Sequence, residues 1–195
     1  MNKKILSLKK LTYNLFKNGK KEMAGRSRGA RLRETIEKIF REGDEPCLVI
    51  DFSGMGSIDF SWADEVVAKM VSRLWGDEYG EKFFVLKGLN PSQEENIGVA
   101  LERKKLAVLT TGPGGWRIMG SLNNYLVQTL NQVMNTSRLT LRELSEKEKI
   151  GMNTSGTRLL NLYRKRLVLR IEGVNDSNRE ATHRGRQYVY QSLLI

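Results

Sequence analysis

Cysteine and histidine are almost missing from this sequence. Among 195 residues there is one cysteine, Cys47, and one histidine, His183. A single cysteine excludes an intramolecular disulfide, and the apolar run around Cys47 predicts a buried side chain rather than a nucleophile. A single histidine excludes a multi-histidine metal site. Because His183 lies in a polar segment, a solvated or phosphate-contacting role is more typical for it than catalysis.

Long apolar runs are missing as well. No run approaches the roughly 18 residues that a membrane-spanning helix needs. The basic N-terminus is not followed by the apolar core and cleavage site of a signal peptide. The sequence therefore predicts a soluble, cytoplasmic protein without a membrane partner. Catalysis has little support, because isolated carboxylates (Asp51, Asp59, Asp64 and Glu65) are its only candidates, so we expect no enzyme, no cofactor and no metal.

Acidic residues are fewer than basic residues, and the excess of positive charge is unevenly distributed. The chain has 33 lysines and arginines against 22 acidic residues, a net charge of +11. Residues 1–115 carry 20 basic and 16 acidic side chains, whereas residues 116–195 carry 13 and 6. Between these parts lies the sequence TTGPGGW, which consists mainly of turn-forming residues. We therefore predict two domains, residues 1–111 and 117–195, joined by a linker at residues 112–116.

The first domain is predicted to alternate strands and helices. Apolar runs predict the strands, and apolar residues at three- and four-residue spacing predict the helices. The predicted strands are residues 4–11, 48–50, 82–89 and 106–110, of which the first could equally be a solvated basic arm. The predicted helices are residues 27–41, 62–75 and 91–104. Such alternation is typical of an α/β layer in which helices cover a mostly parallel sheet.

One stretch of this domain carries a family resemblance. The strand at residues 48–50 is followed by Asp51-Phe52-Ser53-Gly54, a short turn, Ile58-Asp59, and Ser61 at the start of a helix. This order resembles the STAS domain of bacterial anti-sigma-factor antagonists, and more closely the STAS-like family, over about residues 4–111. The resemblance implies a signalling domain whose partner is a serine kinase or an anti-sigma factor.

Ser61 is the candidate phosphorylation site. In STAS antagonists a serine at the start of that helix is phosphorylated by a partner kinase, and Ser61 falls at the same place. Where the family has a second serine and a glycine nearby, this chain has Phe60 and Trp62. Ser61 or Asp59 could instead cap the helix, since serine is common at helix starts without any switch.

The second domain is predicted to begin with three helices. Residues 119–134 have the apolar stripe of an amphipathic helix. Thr140 and Glu143 have the spacing of a capping box, which predicts a short second helix ending near residues 150–151. A third helix is expected to start with Asn153, Thr154 or Ser155 as its N-cap.

A predicted hairpin follows the third helix and completes a second resemblance. Residues 167–171 and 187–193 are expected to form its strands, with a long polar tip between them. Three helices followed by such a hairpin resemble the winged helix-turn-helix domain of bacterial transcriptional regulators, an α+β fold in which the third helix enters DNA and the tip is the wing. That family often has glycine where this chain has Arg166.

This resemblance implies that the third helix and the wing bind double-stranded DNA. Small polar residues at a helix start suit base edges in the major groove, which is about 12 Å wide. Arginines suit the phosphates. The candidate DNA-binding residues are Asn153, Thr154, Ser155, Thr157, Arg158, Arg164, Lys165, Arg179, Arg184 and Arg186.

Two functions follow from these patterns. The first is a bacterial transcriptional regulator in which the STAS-like domain controls the DNA-binding domain, as a monomer or a homodimer. The second is a partner-switching protein that is regulated by phosphorylation at Ser61 and uses the winged helix for protein docking. The basic residues of the second domain favour the first function.

Overall fold

A computed structural model describes residues 2–16, 24–173 and 187–194. The chain divides into two compact units, Met1–Leu122 (unit 1) and Asn123–Ile195 (unit 2). In the described part of the chain, no helix combines the length and apolar character needed to cross a membrane.

Unit 1 contains a five-stranded sheet. Its strands are β1 (Lys3–Ser7), β2 (Cys47–Asp51), β3 (Phe83–Lys87), β4 (Ala107–Gly112) and β5 (Gly115–Gly120). The strands lie side by side in chain order; β1 to β4 are parallel, and β5 is antiparallel to β4. The prediction of a mostly parallel sheet combined with helices is confirmed.

The helices of unit 1 occupy the connections between the strands. They are α1 (Leu8–Phe16), α2 (Arg26–Glu42), α3 (Phe60–Ala63), α4 (Lys69–Trp75) and α5 (Pro91–Arg103). A π-helical segment, Asp64–Ala68, joins α3 to α4, so these three pieces fill the predicted helix at residues 62–75. Helix α1 was not predicted. The edge strand stops at Ser7, and Leu8 and Thr12 are then buried one helical turn apart.

The core of unit 1 lies between these helices and one face of the sheet. Because side chains alternate along a strand, Leu48 and Ile50 of β2 share this face with Phe84 and Leu86 of β3. Trp62 of α3 is fully buried in the same cluster. Each buried side chain of this size stabilises the fold by about 1.5–3 kcal/mol. The core therefore holds both the carboxyl ends of the strands and the loop after β2 in place.

Cys47, at the start of β2, is fully buried. The prediction of a buried cysteine is confirmed. Burial raises the pKa of its thiol to about 11, which keeps the thiol protonated near neutral pH.

The predicted linker at residues 112–116 is wrong. These residues form the tip of the β4–β5 hairpin, in which Gly112 pairs with Gly115. Gly115 has a φ of 95°, a conformation that favours glycine. The turn signals were correct, but they mark a hairpin because Arg117 and Ile118 pair with β4. The boundary between the units falls after Leu122.

Unit 2 combines helices with a second, three-stranded sheet. Its elements are α6 (Asn124–Thr136), β6 (Arg138–Thr140), α7 (Leu141–Glu148), α8 (Met152–Arg164), β7 (Val168–Glu172) and β8 (Tyr188–Ser192). The sheet order is β6-β8-β7, and both pairs are antiparallel. The predicted hairpin is confirmed, whereas β6 was not foreseen.

The start of α7 is determined by a local signal. The Thr140 hydroxyl accepts a hydrogen bond from the Glu143 backbone N–H at 3.3 Å, and the Glu143 carboxylate accepts one from the Thr140 N–H at 2.7 Å. The predicted capping box is therefore confirmed. Helix α6 starts at Asn124, five residues later than predicted, because Met119 and Gly120 belong to β5.

Candidate functional site

Helix α8 is the centre of the candidate site in unit 2. Helix α7 ends at Glu148, and its C-cap Lys149 has left-handed backbone angles, with φ 52° and ψ 43°. The Ser145 hydroxyl donates a hydrogen bond to the Ile150 carbonyl at 2.6 Å. Helix α8 then begins at Met152. The two helices are thus joined by a tight connection of residues 149–151.

One face of α8 packs into unit 2 and another is open. Ser155, Leu159 and Leu162 are buried at helical spacing. Asn153, Thr154 and Thr157 are exposed on the other side. These three residues line an open groove of about 460 Å³ together with Tyr125, Arg158 and Asn161. The open face of α8 therefore presents uncharged hydrogen-bonding groups.

The predicted N-caps of α8 are wrong. The N-cap is Gly151, and no side chain of the described residues caps the helix. Ser155 lies inside the helix, fully buried, and its hydroxyl donates to the Gly151 carbonyl at 3.2 Å. Ser155 therefore packs inside unit 2 and does not belong to the open face of α8.

Arg158 is held within unit 2. Its guanidinium donates a hydrogen bond to the Glu148 carboxylate at 2.8 Å and lies 5.3 Å from the centre of the Tyr125 ring. Only 20% of its side chain is exposed. Arg158, which was predicted to contact a phosphate, is thus already paired with an anion. Its contacts connect α8 to α7 and α6.

The basic residues at the end of α8 have different surroundings. Arg164, in the last turn, is exposed. Lys165 is half-buried, and desolvation lowers the pKa of its ammonium group. Of the predicted basic residues that the structure describes, Arg164 is thus the one best placed to meet a phosphate.

Arg166 follows in the turn to β7. It is buried, has a φ of 57°, and its guanidinium lies 5.2 Å from the centre of the Tyr163 ring. The left-handed conformation explains why glycine suits this position. Here the position holds an arginine, whose guanidinium makes a cation–π contact with Tyr163.

The predicted wing contacts lie outside the described residues. They are Arg179, Arg184 and Arg186, together with His183.

Tyr125 and Asn161 line the α8 groove and were not predicted. Asn161 follows Asn153 and Thr157 at four-residue spacing, so helical periodicity could have identified it. Tyr125 lies 27 residues before the first residue of α8, and its place in the groove depends on how α6 packs against α8.

In unit 1, Ser61 is the second residue of α3 and is half-buried. It is not the N-cap. Asp59 is the N-cap, because its carboxylate accepts a hydrogen bond from the Trp62 N–H at 2.7 Å. The same carboxylate accepts one from the Gly25 N–H at 2.8 Å. Asp59 therefore joins the starts of α2 and α3, and the prediction that Ser61 or Asp59 caps this helix is resolved in favour of Asp59.

Asp51 lies at the carboxyl end of β2, as the sequence predicted. Its carboxylate accepts a hydrogen bond from the Ser53 N–H at 2.9 Å. Burial acts to raise the pKa of this carboxyl, but hydrogen bonds from Ser53 and the charge of Lys87 hold it below its usual value. Gly88 lies beside this pair, and a Cβ atom there would come within 2.2 Å of the Ser53 hydroxyl.

In the described ranges, no group of three or more His, Cys, Asp or Glu side chains is placed to hold a metal ion. Comparison with known proteins finds no matching family model and no matching curated protein. The contacts of the residues themselves therefore carry the functional proposal.

Proposed function

We propose that unit 2 is a winged helix-turn-helix module that binds double-stranded DNA, and that the protein is a transcriptional regulator. The observation that carries this proposal is the open face of α8, where Asn153, Thr154 and Thr157 are exposed. Helix α8 contains no acidic residue. Such a surface can approach base edges without repulsion from the phosphates and can offer them hydrogen bonds.

The order of elements in unit 2 supports this function. A helix, a strand, two helices and a strand pair follow one another, and the helix pair α7–α8 has the short connection typical of helix-turn-helix modules. The strand pair β7–β8 then corresponds to the base of a wing.

The start of α8 supports contact with a phosphate. Its first N–H groups have no capping side chain among the described residues. Helix N-termini attract anions through these N–H groups and through the helix dipole. The residues of unit 2 carry 12 basic against 6 acidic side chains, which adds the long-range attraction that DNA-binding proteins use.

We propose that unit 1 is a STAS-like domain that regulates this module. This proposal is supported by the order of β2, Asp51 at the end of that strand, and α3, whose N-cap is Asp59. Partner switching through Ser61 is the less favoured function. A phosphate on Ser61 would lie one helical turn before Asp64, whose carboxylate would oppose its charge.

The DNA-binding proposal predicts that the full-length protein binds duplex DNA with an affinity that falls steeply as salt rises. Replacing the exposed cation in Arg164→Gln should lower the slope of log K against log salt by about one unit, because one fewer counterion is released. Asn153→Ala should instead reduce the preference for a selected duplex over a shuffled one. Fluorescence anisotropy titrations across a salt series measure both effects.

Lys10→Gln is the matched control, because Lys10 is an exposed cation of unit 1. It should leave the slope unchanged. If the full-length protein has no salt-dependent affinity for duplex DNA, or if Lys10→Gln and Arg164→Gln change the slope equally, the proposed interface is wrong.

A further inference from the structure

Unit 1 has a cleft that the proposed DNA interface does not use. It has a volume of about 380 Å³ and lies where β3 and β4 end, next to the tip of the β4–β5 hairpin. In sheets built from parallel strands, ligands usually bind beyond the carboxyl ends of the strands. The volume lies within the range of about 300–1,000 Å³ that is typical of small-molecule sites.

Gly112 keeps this cleft open. It is the last residue of β4, and its φ lies outside the positive range that favours glycine. No atom of the described residues would lie within 4 Å of a Cβ placed there. Strand alternation directs that missing side chain to the sheet face of Thr110 and Arg117, which also line the cleft. Neither packing nor backbone conformation requires glycine here, so its effect is to leave the cleft unfilled.

A different cause applies to Gly88, which follows β3 and also lines the cleft. Gly88 has a φ of 69°, and a side chain there would strike Ser53. Gly88 and Gly112, two of the four glycines that line the cleft, are therefore glycine positions for different reasons.

Arg117 supplies a cation at the cleft. Its side chain is 57% exposed and forms an ion pair with Glu94 of α5. The Nε–H group of Arg117 also donates a hydrogen bond to the Thr110 hydroxyl at 3.4 Å. Thr110 is almost fully buried, so this contact anchors the guanidinium at its base. A guanidinium held in this way can receive an anionic oxygen group through two parallel hydrogen bonds.

Apolar surface completes the lining of the cleft. Leu89, Pro113 and Trp116 contribute it, and an apolar lining of this kind is suited to a planar ring. We propose that the cleft binds a small molecule that carries a planar ring and an anionic oxygen group, either a carboxylate or a phosphate. The anionic group replaces Glu94 as the ion-pair partner of Arg117, and the ring lies against the apolar lining. This binding does not depend on DNA binding by unit 2.

The test uses the full-length protein and two classes of anionic probe. AMP and GMP represent phosphates that carry a planar ring, and indole-3-acetate represents carboxylates that carry one. Adenosine and indole are the corresponding uncharged compounds. Isothermal titration calorimetry should show one site for at least one anionic class and much weaker binding of its uncharged partner. The class that binds identifies the anionic group. Absence of binding by every anionic probe, or equal binding by the uncharged partners, would overturn the proposal.

Variants locate the site. Gly112→Leu should abolish binding because it fills the cleft. The control is Gly98→Leu: Gly98 lies in α5 outside the lining, also with no described atom within 4 Å of a built Cβ, and this variant should bind normally. Thermal unfolding of both variants shows whether the fold is intact. Unchanged affinity in a folded Gly112→Leu protein would place the ligand elsewhere and overturn the assignment.

The ion pair provides a second, independent readout. Arg117→Gln should weaken anion binding about tenfold or more, because a charged hydrogen bond is lost. Glu94→Gln should strengthen it, because the competing carboxylate is removed. If both substitutions weaken binding, the Arg117–Glu94 ion pair has only a structural role, and the proposal that the ligand replaces Glu94 is wrong. DNA binding should be unaffected in all four variants, so failure of this site is distinguishable from failure of the DNA interface.

Discussion

At the residue scale, two helical glycines have opposite surroundings. Gly29 of α2 faces the π-helical segment, and a Cβ there would lie 3.1 Å from the Glu65 Cβ and 3.5 Å from the Trp62 Cα. Gly98 of α5 faces open space. The first glycine permits a close approach of two helices, whereas the second only loosens its own helix.

Alanine substitutions should therefore change stability in opposite directions. Gly98→Ala should stabilise the protein by about 0.5–1 kcal/mol, because alanine has the higher helix propensity and restricts the unfolded chain. Gly29→Ala should destabilise it by about 1–3 kcal/mol, because the added methyl group overpacks the contact with Glu65. Urea unfolding measures both free energies, and changes of the same sign would contradict this account.

Arginines show the limit of residue-by-residue prediction. Arg158 and Arg164 both follow the polar start of α8 and are equivalent in the sequence. In the structure Arg158 is paired with Glu148, whereas Arg164 is exposed. Of these two arginines, Arg164 is therefore the one available to a phosphate.

At the scale of elements, a buried carboxylate joins α2 to α4 and to the turn after α4. The Glu37 carboxylate accepts hydrogen bonds from Arg33 at 2.7 Å, from Arg73 at 2.7 Å and from the Tyr79 hydroxyl at 2.5 Å. Burial acts to raise the pKa of Glu37, but these partners together hold it below its usual value. Arg33 also lies 3.4 Å from the Glu65 carboxylate, and Arg73 lies 3.6 Å from that of Glu78, so the two arginines are compensated by more than the Glu37 charge.

Glu37→Gln should destabilise the protein by about 1.5–3 kcal/mol at neutral pH, because both arginines lose a charged hydrogen-bond partner and keep only the more distant Glu65 and Glu78. A carboxyl whose pKa is lowered on folding stabilises the fold above its unfolded pKa, and this stabilisation is lost as the pH falls through the folded value. The difference between the wild type and Glu37→Gln should accordingly shrink on acidification. Urea unfolding at a series of pH values measures it.

Tyr79→Phe is the matched control, since it removes one hydrogen bond and leaves the charges. It should cost only about 1–2 kcal/mol. A difference between wild type and Glu37→Gln that stays constant with pH would show that the Glu37 charge contributes nothing to folding.

At the scale of the whole molecule, the boundary between the units determines where the chain can be divided. The sequence predicted a linker at residues 112–116, but these residues belong to a hairpin of unit 1. The boundary lies between Leu122 and Asn123, and Ser121 and Asn123 are exposed. Arg117 consequently belongs to unit 1, and the greater excess of positive charge remains with unit 2.

Limited proteolysis should therefore cut near residues 121–124 in preference to residues 112–116, because paired backbone resists the extension that a protease requires. Mass spectrometry of the early fragments locates the cut. Proteinase K, which has little sequence preference, avoids a bias from the positions of basic residues. Early cleavage within residues 112–116 would show that the β4–β5 hairpin is not stably formed.

Features that depend on neighbouring residues can be predicted from the sequence alone. The apolar run before Asp51 predicts β2, and the run at residues 82–89 predicts β3, because each strand is buried and needs apolar side chains along its length. Thr140 and Glu143 predict the start of α7, because the two residues satisfy each other's backbone groups within one turn. The alternation of such elements predicts the parallel sheet.

Features that depend on residues distant in the chain are set by tertiary packing. Residues 115–120 are a strand because β4 is available to pair with them, and β6 is a strand because β8 is. Ser155 is buried while Thr154 is exposed because α8 packs against α6 and α7 along one face. Arg158 is paired because α7 brings Glu148 to it. Neighbouring polar residues such as Thr154 and Ser155 cannot be distinguished by their local sequence. Which of them is exposed depends on the face of the helix against which other helices pack.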